Sequence, residues 1–266
     1  MEKKLLDMKN ISKTFGNVQA LKGVSLDLYA GEVLALMGEN GAGKSTLMNI
    51  LSGSLQPTEG EIYLNGEKVV VPDPITAKKL GIAKIHQELQ IVPELSVAEN
   101  IFLGRWKTSA GPAVDFKAMK DEAKVYLDML DVHVDPSKKL KDLRIGEQQL
   151  VEIAKAISLN SKIIVMDEPT SAISEKEAEK LFTIIRRLRG EGKGIIYITH
   201  RMEEIFKIAD RLTVMRDGQY IGTVKAAETS KDEIIRMMVG RDMSEQYPKD
   251  PTEKGEVALE VKNLTY

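Results

Sequence analysis

The sequence predicts an α/β fold with a mainly parallel sheet flanked by helices, and three observations predict it. Short apolar runs of strand length alternate with helical periods along most of the chain. One such run, residues 32–37, leads into Gly38-Glu39-Asn40-Gly41-Ala42-Gly43-Lys44-Ser45-Thr46. This nonapeptide fits G-x-x-x-x-G-K-[ST], the phosphate-binding loop of nucleoside triphosphatases, and a helix follows it. From about Glu88 to Leu159 strand patterns vanish and helical periods take over, which marks a helical insertion in a P-loop core.

The chain opens on two short strands, Leu5 to Ile11 and Val24 to Tyr29, separated by a turn over Lys13-Thr14-Phe15-Gly16-Asn17. Glu32 to Met37 is the strand before the loop, and Lys44 to Leu51 the helix after it. Pro57-Thr58-Glu59-Gly60 is a turn, and Glu61 to Leu64 is a strand. Asn65-Gly66 signals a hairpin, because both residues tolerate the positive φ that a two-residue turn needs. Ile82 to Ile85 is a buried strand ending at His86-Gln87. Ser96-Val97-Ala98-Glu99 is a capping box for a helix to about Gly104. Asp115 caps a helix to Asp131 with Met119, Ala123, Tyr126, Leu127 and Leu130 on one face. Gly146 to Leu159 is amphipathic through Leu150, Ile153, Ala154 and Ile157.

The alternation then resumes. Lys162 to Met166 is a strand, and Ser174-Glu175-Lys176-Glu177 caps a helix to about Arg189. Gly194 to Thr199 is a strand and Arg201 to Ala209 a helix. Leu212 to Arg216 and Gln219 to Val224 pair around Asp217-Gly218, and Ser230 caps a last helix that stops at Gly240. Residues 241–256, with two prolines and several charges, read as a linker. After it, Leu259-Glu260-Val261-Lys262-Asn263-Leu264-Thr265 repeats Leu6-Asp7-Met8-Lys9-Asn10-Ile11-Ser12 by identity or conservative change. The expectation is a nucleotide-binding domain over 1–240, its helical subdomain at about 88–160, and in 257–266 the first strand of a truncated second copy.

Composition narrows the chemistry. There are 38 Lys and Arg against 40 Asp and Glu, a net charge of −2, so nothing in the balance points to nucleic acid. The absence of cysteine excludes disulfides, thiol catalysis and thiolate metal sites. The N-terminus reaches Asp7 too soon for a secretory signal, and no apolar run approaches a membrane span. The expected setting is cytoplasmic, with any membrane role exercised through a partner.

The loop glycines let backbone N–H groups turn toward a phosphate, and the helix N-terminus adds positive partial charge. Lys44 is placed to reach the β- and γ-phosphates, and the Ser45 hydroxyl to ligate Mg²⁺. The strand Ile163-Ile164-Val165-Met166 ends in Asp167-Glu168. Beside a phosphate loop, Asp167 suits the Mg²⁺ shell and Glu168 suits the attacking water, as general base or as orienter. Gln87 follows a buried strand and suits Mg²⁺ and the water, or is an ordinary polar loop residue. His200 is either a γ-phosphate contact or a structural histidine. Phe15 is either a stacking face for adenine or a core side chain.

Together these residues resemble the nucleotide-binding subunits of ABC transporters. The resemblance is carried by Phe15, the loop Gly38 to Thr46, Gln87, the segment Leu143-Arg144-Ile145-Gly146-Glu147-Gln148-Gln149, Ile163 to Glu168, Ser171-Ala172-Ile173-Ser174 and His200. Within the family the chain is most similar to the tandem ATPases of ribose-, xylose- and galactose-type importers, through Val151-Glu152-Ile153-Ala154-Lys155-Ala156, His200-Arg201-Met202-Glu203-Glu204-Ile205-Phe206 and Met237-Met238-Val239-Gly240-Arg241. The resemblance implies the ABC ATPase fold, with an antiparallel β subdomain beside the parallel sheet. It implies ATP and Mg²⁺ bound between two domains meeting head to tail, the signature Leu143, Arg144, Ile145, Gly146, Glu147 and Gln148 of one facing the phosphate loop of the other. It further implies a second nucleotide-binding half of the same polypeptide, transmembrane permease subunits reached through about Glu88 to Arg105, a sugar-binding protein acting indirectly, and a place on the cytoplasmic face of the membrane.

Two departures stand out. Arg144 occupies the place of the signature serine that donates to the γ-phosphate, which bears on the site completed by this signature rather than on the one built by Lys44 and Glu168. Ser174 occupies the place of an acid that links the two sites. The rival readings are a soluble tandem ATPase acting on ribosomes, a nucleotide-operated switch in DNA repair, and a module that holds ATP without turnover. The short linker argues against the first, the lack of a heptad run against the second, and Glu168 against the third.

Overall fold

The computed structural model describes residues 3–109, 113–240, 259, 260 and 262. Ten strands form two sheets among the described residues. The first is antiparallel, in the order β2-β1-β4-β5, from β1 (Lys4–Phe15), β2 (Val18–Tyr29), β4 (Glu59–Leu64) and β5 (Glu67–Val69). The second runs β10-β9-β3-β8-β7-β6, from β3 (Val33–Met37), β6 (Ile82–Ile85), β7 (Ile163–Asp167), β8 (Gly194–Ile198), β9 (Arg211–Arg216) and β10 (Gln219–Lys225). All its pairings are parallel except β9–β10, which is a hairpin. The expected parallel sheet and antiparallel β subdomain are both present.

Parallel strands here are buried on both faces, which is why they read as unbroken apolar runs. β7 shows the geometry. Ile164 and Met166 point to a core shared with the helices of the insertion, while Ile163 and Val165 point to a second core against the antiparallel sheet. That second core also takes Leu47, Met48, Ile50 and Leu51, the inner face of α1 (Lys44–Leu51). The insertion between β6 and β7 carries α3 (Val97–Ile101), α4 (Phe116–Met129) and α5 (Ile145–Ser158). The Ser96 capping box, the Asp115 cap and the apolar face of α4 fall where the sequence places them, with Met119, Ala123, Leu127 and Leu130 buried. α6 (Glu175–Gly190), α7 (Met202–Ile208) and α8 (Lys231–Val239) complete the domain, and Gly240 ends α8 at φ 76°.

Two expectations are corrected. The turn expected over 13–17 is shorter: β1 continues through Phe15 and β2 begins at Val18, because register shifts let both strands bend while staying paired. α2 (Pro74–Lys79) is a helix that the sequence reading missed. Asp73 caps it, accepting from the Thr76 N–H at 2.8 Å, and Pro74 occupies a first-turn position where no N–H is needed. The expected linker and most of the expected repeat strand lie outside the described residues.

Candidate active site

Because β6, β7, β8 and β3 run parallel, their carboxyl ends share one edge of the sheet, and in open α/β sheets ligands bind at that edge. β3 delivers the phosphate loop, β8 delivers Thr199 and His200, β7 ends in Asp167 and continues to Glu168, and β6 leads to His86 and Gln87. The register is level, with Asp167 opposite Ile198 and Met166 opposite Ile85. The resulting open cleft is lined by Asn40, Gly41, Ala42, Gly43, Lys44, Ser45, Thr46, Gln87, Asp167, Glu168 and His200, together with Ala20 and Ile198. Residues from five separate stretches of sequence thus meet in one place.

The loop is shaped by its glycines. Gly43 has φ 97°, and a Cβ there would lie 2.7 Å from Leu21 Cδ2 and 3.0 Å from the Ala20 carbonyl oxygen. No other residue type satisfies both the backbone and the space. Gly43 also offers α1 no capping side chain, and the first turn of α1 holds no acid. The helix N-terminus therefore keeps its donors and its positive partial charge for an anion. Lys44 Nζ donates to the carbonyls of Gly38 at 2.7 Å and Glu39 at 3.0 Å, so these two residues hold the lysine and do not line the cleft themselves. Burial holds the Lys44 ammonium below its ordinary pKa, against the opposing pull of Glu168 and Asp167.

Glu168 sits in the left-handed region at φ 47°, a cost of about 1–2 kcal/mol for a side chain with a Cβ. Its N–H donates to the Ile198 carbonyl at 3.0 Å, and its own carbonyl accepts from Ser171 N–H at 3.1 Å, which pins the strained turn. The carboxylate then meets Gln87 Nε2 at 3.2 Å through one oxygen and His200 Nδ1 at 3.3 Å through the other. Asp167, one residue earlier, is buried. Burial pushes its carboxyl above the usual range, while Lys84 at 3.7 Å pulls the other way.

The donor set suits a hard divalent cation carried in on phosphate. Asp167, the Ser45 hydroxyl and the Gln87 amide offer oxygen alone, as Mg²⁺ prefers. Among the described residues no cluster of three His, Asp or Glu side chains exists to cage a metal. The remaining ligands of such an ion would be phosphate and water oxygens, the way Mg²⁺ is usually held.

Phe15 is 46% exposed, which rules out core packing. Its ring lies at the hairpin end of β1 with Lys13 Nζ 5.1 Å from the ring centroid, and it is not among the residues lining the cleft. The signature segment does not line the cleft either. It opens α5: the Arg144 N–H donates to the Glu147 carboxylate at 2.9 Å, and Gln148 Nε2 donates to the carbonyls of Leu140 and Leu143. Leu143 is buried, whereas Arg144 and Ile145 are exposed, so the segment presents an outward surface. Gly146 faces Glu177, whose carboxylate accepts from the Ser174 N–H and hydroxyl at 2.8 and 2.7 Å. Ser174 thus has a structural task of its own as the cap of α6.

Sequence reasoning missed a buried network behind His200. The Glu204 carboxylate accepts from Thr170 Oγ1 at 2.8 Å, Tyr197 OH at 2.8 Å, Thr199 Oγ1 at 2.9 Å and Arg201 Nη1 at 3.1 Å. It ties the residues on both sides of His200 to the turn that follows Glu168. Helix periodicity gave no sign of this, since Glu204 lies in an acidic first turn. Lys84 was also missed, although a lysine inside an apolar strand was a readable signal.

Comparison with known proteins agrees with this geometry. A family model described as ABC transporter matches residues 21–171. The ribose import ATP-binding protein RbsA of Caldanaerobacter subterraneus subsp. tengcongensis is 51% identical over 261 residues, covering 98% of this chain and 53% of its own. The RbsA protein of Clostridium tetani is 50% identical over 266 residues, covering 100% of this chain and 53% of its own. A putative ribose/galactose/methyl galactoside import ATP-binding protein of Burkholderia lata is 47% identical over 260 residues, 98% of this chain and 49% of its own. The chain spans about half the length of the curated relatives it matches. Among solved structures, a nucleotide-free ATP-binding cassette from an ABC transporter superposes with a TM-score of 0.76 at 29% identity, covering 90% of this chain and 96% of that one. The ADP conformation of MJ1267, another such cassette, gives 0.74 at 30% identity, covering 88% and 94%.

Proposed function

The chain belongs to the ABC transporter family, and from that premise we propose that it is an ATP-binding and ATP-hydrolysing domain that powers import of a monosaccharide. The observation that carries the reading is the convergence of the Lys44 loop with Gln87, Glu168 and His200 on one cleft. The loop N–H groups and Lys44 bind the phosphates of ATP, and Lys44 exchanges its two carbonyl partners for phosphate oxygens. Glu168 orients and polarises the attacking water, with Gln87 and His200 fixing its two carboxylate oxygens. Ser45, Gln87 and Asp167 would hold Mg²⁺, which supplies charge neutralisation at the β- and γ-phosphates. Phe15 is exposed at the hairpin end, available to stack on adenine.

The names of the relatives, ribose import and ribose/galactose/methyl galactoside import, favour a sugar as the transported solute. In this reading the partners are a second nucleotide-binding half of the same polypeptide, transmembrane permease subunits and, indirectly, a sugar-binding protein. No described helix is long and apolar enough to cross a membrane. In this reading, contact with the bilayer is made by the permease subunits, and the domain sits on its cytoplasmic face. The outward-facing signature segment with Arg144 is the surface for the opposing domain. The test is Mg²⁺-ATP turnover by this chain over a range of protein concentrations. Turnover that rises faster than linearly supports head-to-tail pairing. Turnover strictly proportional to protein contradicts it.

A further inference from the structure

Lys84 is a charge where its strand has no use for one. Its neighbours Ile82, Ala83 and Ile85 on β6 are all buried, and its own side chain is 5% exposed. The ammonium donates to Asn49 Oδ1 at 2.7 Å and lies 3.7 Å from Asp167 Oδ2, whose side chain is 10% exposed. Three elements therefore meet at one nitrogen: β6, which leads to Gln87; α1, which begins at Lys44; and β7, which ends in Asp167.

Stability alone gives a poor reason for this arrangement. Desolvating an ammonium and a carboxylate costs as much as their attraction returns, and apolar side chains of similar volume commonly do as well. The pair instead has an electrostatic consequence. Asp167 already has a fixed cation within the protein, and any divalent ion that uses the same carboxylate must share it with Lys84 and approach a like charge.

We propose that Lys84 is the resident counter-cation of Asp167, a positioning residue that sets how strongly nucleotide binding depends on the divalent ion. When the ion is absent, Lys84 keeps the carboxylate anchored between α1 and β7, so the cleft stays formed and accepts nucleotide without metal. When the ion is present, Lys84 weakens its hold and eases its departure with the product. The inference rests on the reading of Asp167 as the ion-binding acid.

The test is calorimetric titration of ATP into the purified chain at pH 8, once in EDTA and once in saturating Mg²⁺. The readout is the ratio of the two dissociation constants. An opposite charge at this range shifts a carboxylate's affinity for a proton by one to three powers of ten, and a metal ion competes for the same lone pairs. Lys84→Met is therefore expected to enlarge the ratio by about tenfold or more, and Lys84→Arg to leave it near the wild-type value. Lys84→Gln carries the same test should the methionine variant fail to fold. An unchanged ratio in the neutral variants, or a loss of affinity equal in EDTA and Mg²⁺, overturns the proposal and leaves Lys84 a structural residue. Asp167→Asn separates the two layers. If it collapses the ratio while the Lys84 variants do nothing, only the inference on Lys84 fails. If it leaves the ratio untouched, the reading of Asp167 fails first.

Discussion

Replacing Glu204 by alanine should cost about 3 kcal/mol of folding stability and disturb nucleotide handling without touching a cleft residue. The carboxylate accepts from Thr170, Tyr197 and Thr199, all buried, and from Arg201, which is about half exposed. Its removal leaves three buried hydroxyl donors without an acceptor. Each unsatisfied buried donor costs about 1–3 kcal/mol, and hydroxyls that can rotate belong at the lower end. Arg201 stays hydrated and adds little. Removing a desolvated charge offsets part of the loss, and the cavity left behind adds to it. For a domain of this size about 3 kcal/mol corresponds to roughly 6–12 °C in melting temperature. Glu204→Gln keeps an acceptor and should lose only about a third as much. Urea unfolding of the two variants and the wild type is the assay, with ATP affinity measured on the folded proteins. A Glu204→Ala variant within about 0.5 kcal/mol of wild type, the range of ordinary surface substitutions, would refute the argument that this network holds the His200 turn to the Glu168 turn.

Three further outcomes follow from the same geometry. Lys44→Ala should weaken ATP binding itself, because it removes the cation that the loop carbonyls hold ready; titration with a fluorescent ATP analogue measures it. Gly43→Ala should abolish nucleotide binding and lower stability, since the new Cβ meets Leu21 and the Ala20 carbonyl at a backbone with φ 97°; thermal melting with and without ATP reads both effects. His86 is held down to about 4 by burial, with Lys84, Lys155 and Lys78 adding to the effect. Its folded pKa lies below its unfolded value, so the unfolded chain takes up the proton first. Stability that is full above pH 6.5 is lost as pH falls through the window down to about 4. His86→Asn should flatten the stability–pH curve over that window, which urea midpoints at several pH values would show.

Much of the fold was legible because each signal was local. β6, α1 and the capped starts of α3, α4 and α6 are set by residues that touch their sequence neighbours, such as Ser96 with Glu99 and Ser174 with Glu177. The hairpin of β1 and β2 was read too short because its register shifts are settled by pairing between strands, which leaves no periodic trace. α2 was missed because six residues show too little period to detect, although Asp73-Pro74 was a usable start signal. At the site, the loop and the acids at the end of β7 are contiguous and were readable. The contacts of Glu168 with Gln87 and His200 span 81 and 32 positions, and only the parallel order β8-β7-β6 brings them together. Phe15 shows the same limit: sequence could not choose between core and surface, and its place at the hairpin end decides the matter.

The most direct test of the central claim is ATP binding and turnover by wild type and Glu168→Gln side by side, at protein concentrations high enough to allow pairing. The account predicts that the variant binds Mg²⁺-ATP at least as well as wild type and loses turnover by roughly 10²–10⁴-fold, the usual contribution of a positioned general base. Turnover unchanged in Glu168→Gln would contradict the assignment of Glu168 to the attacking water, and with it the reading of the Gln87–Glu168–His200 arrangement as hydrolytic machinery.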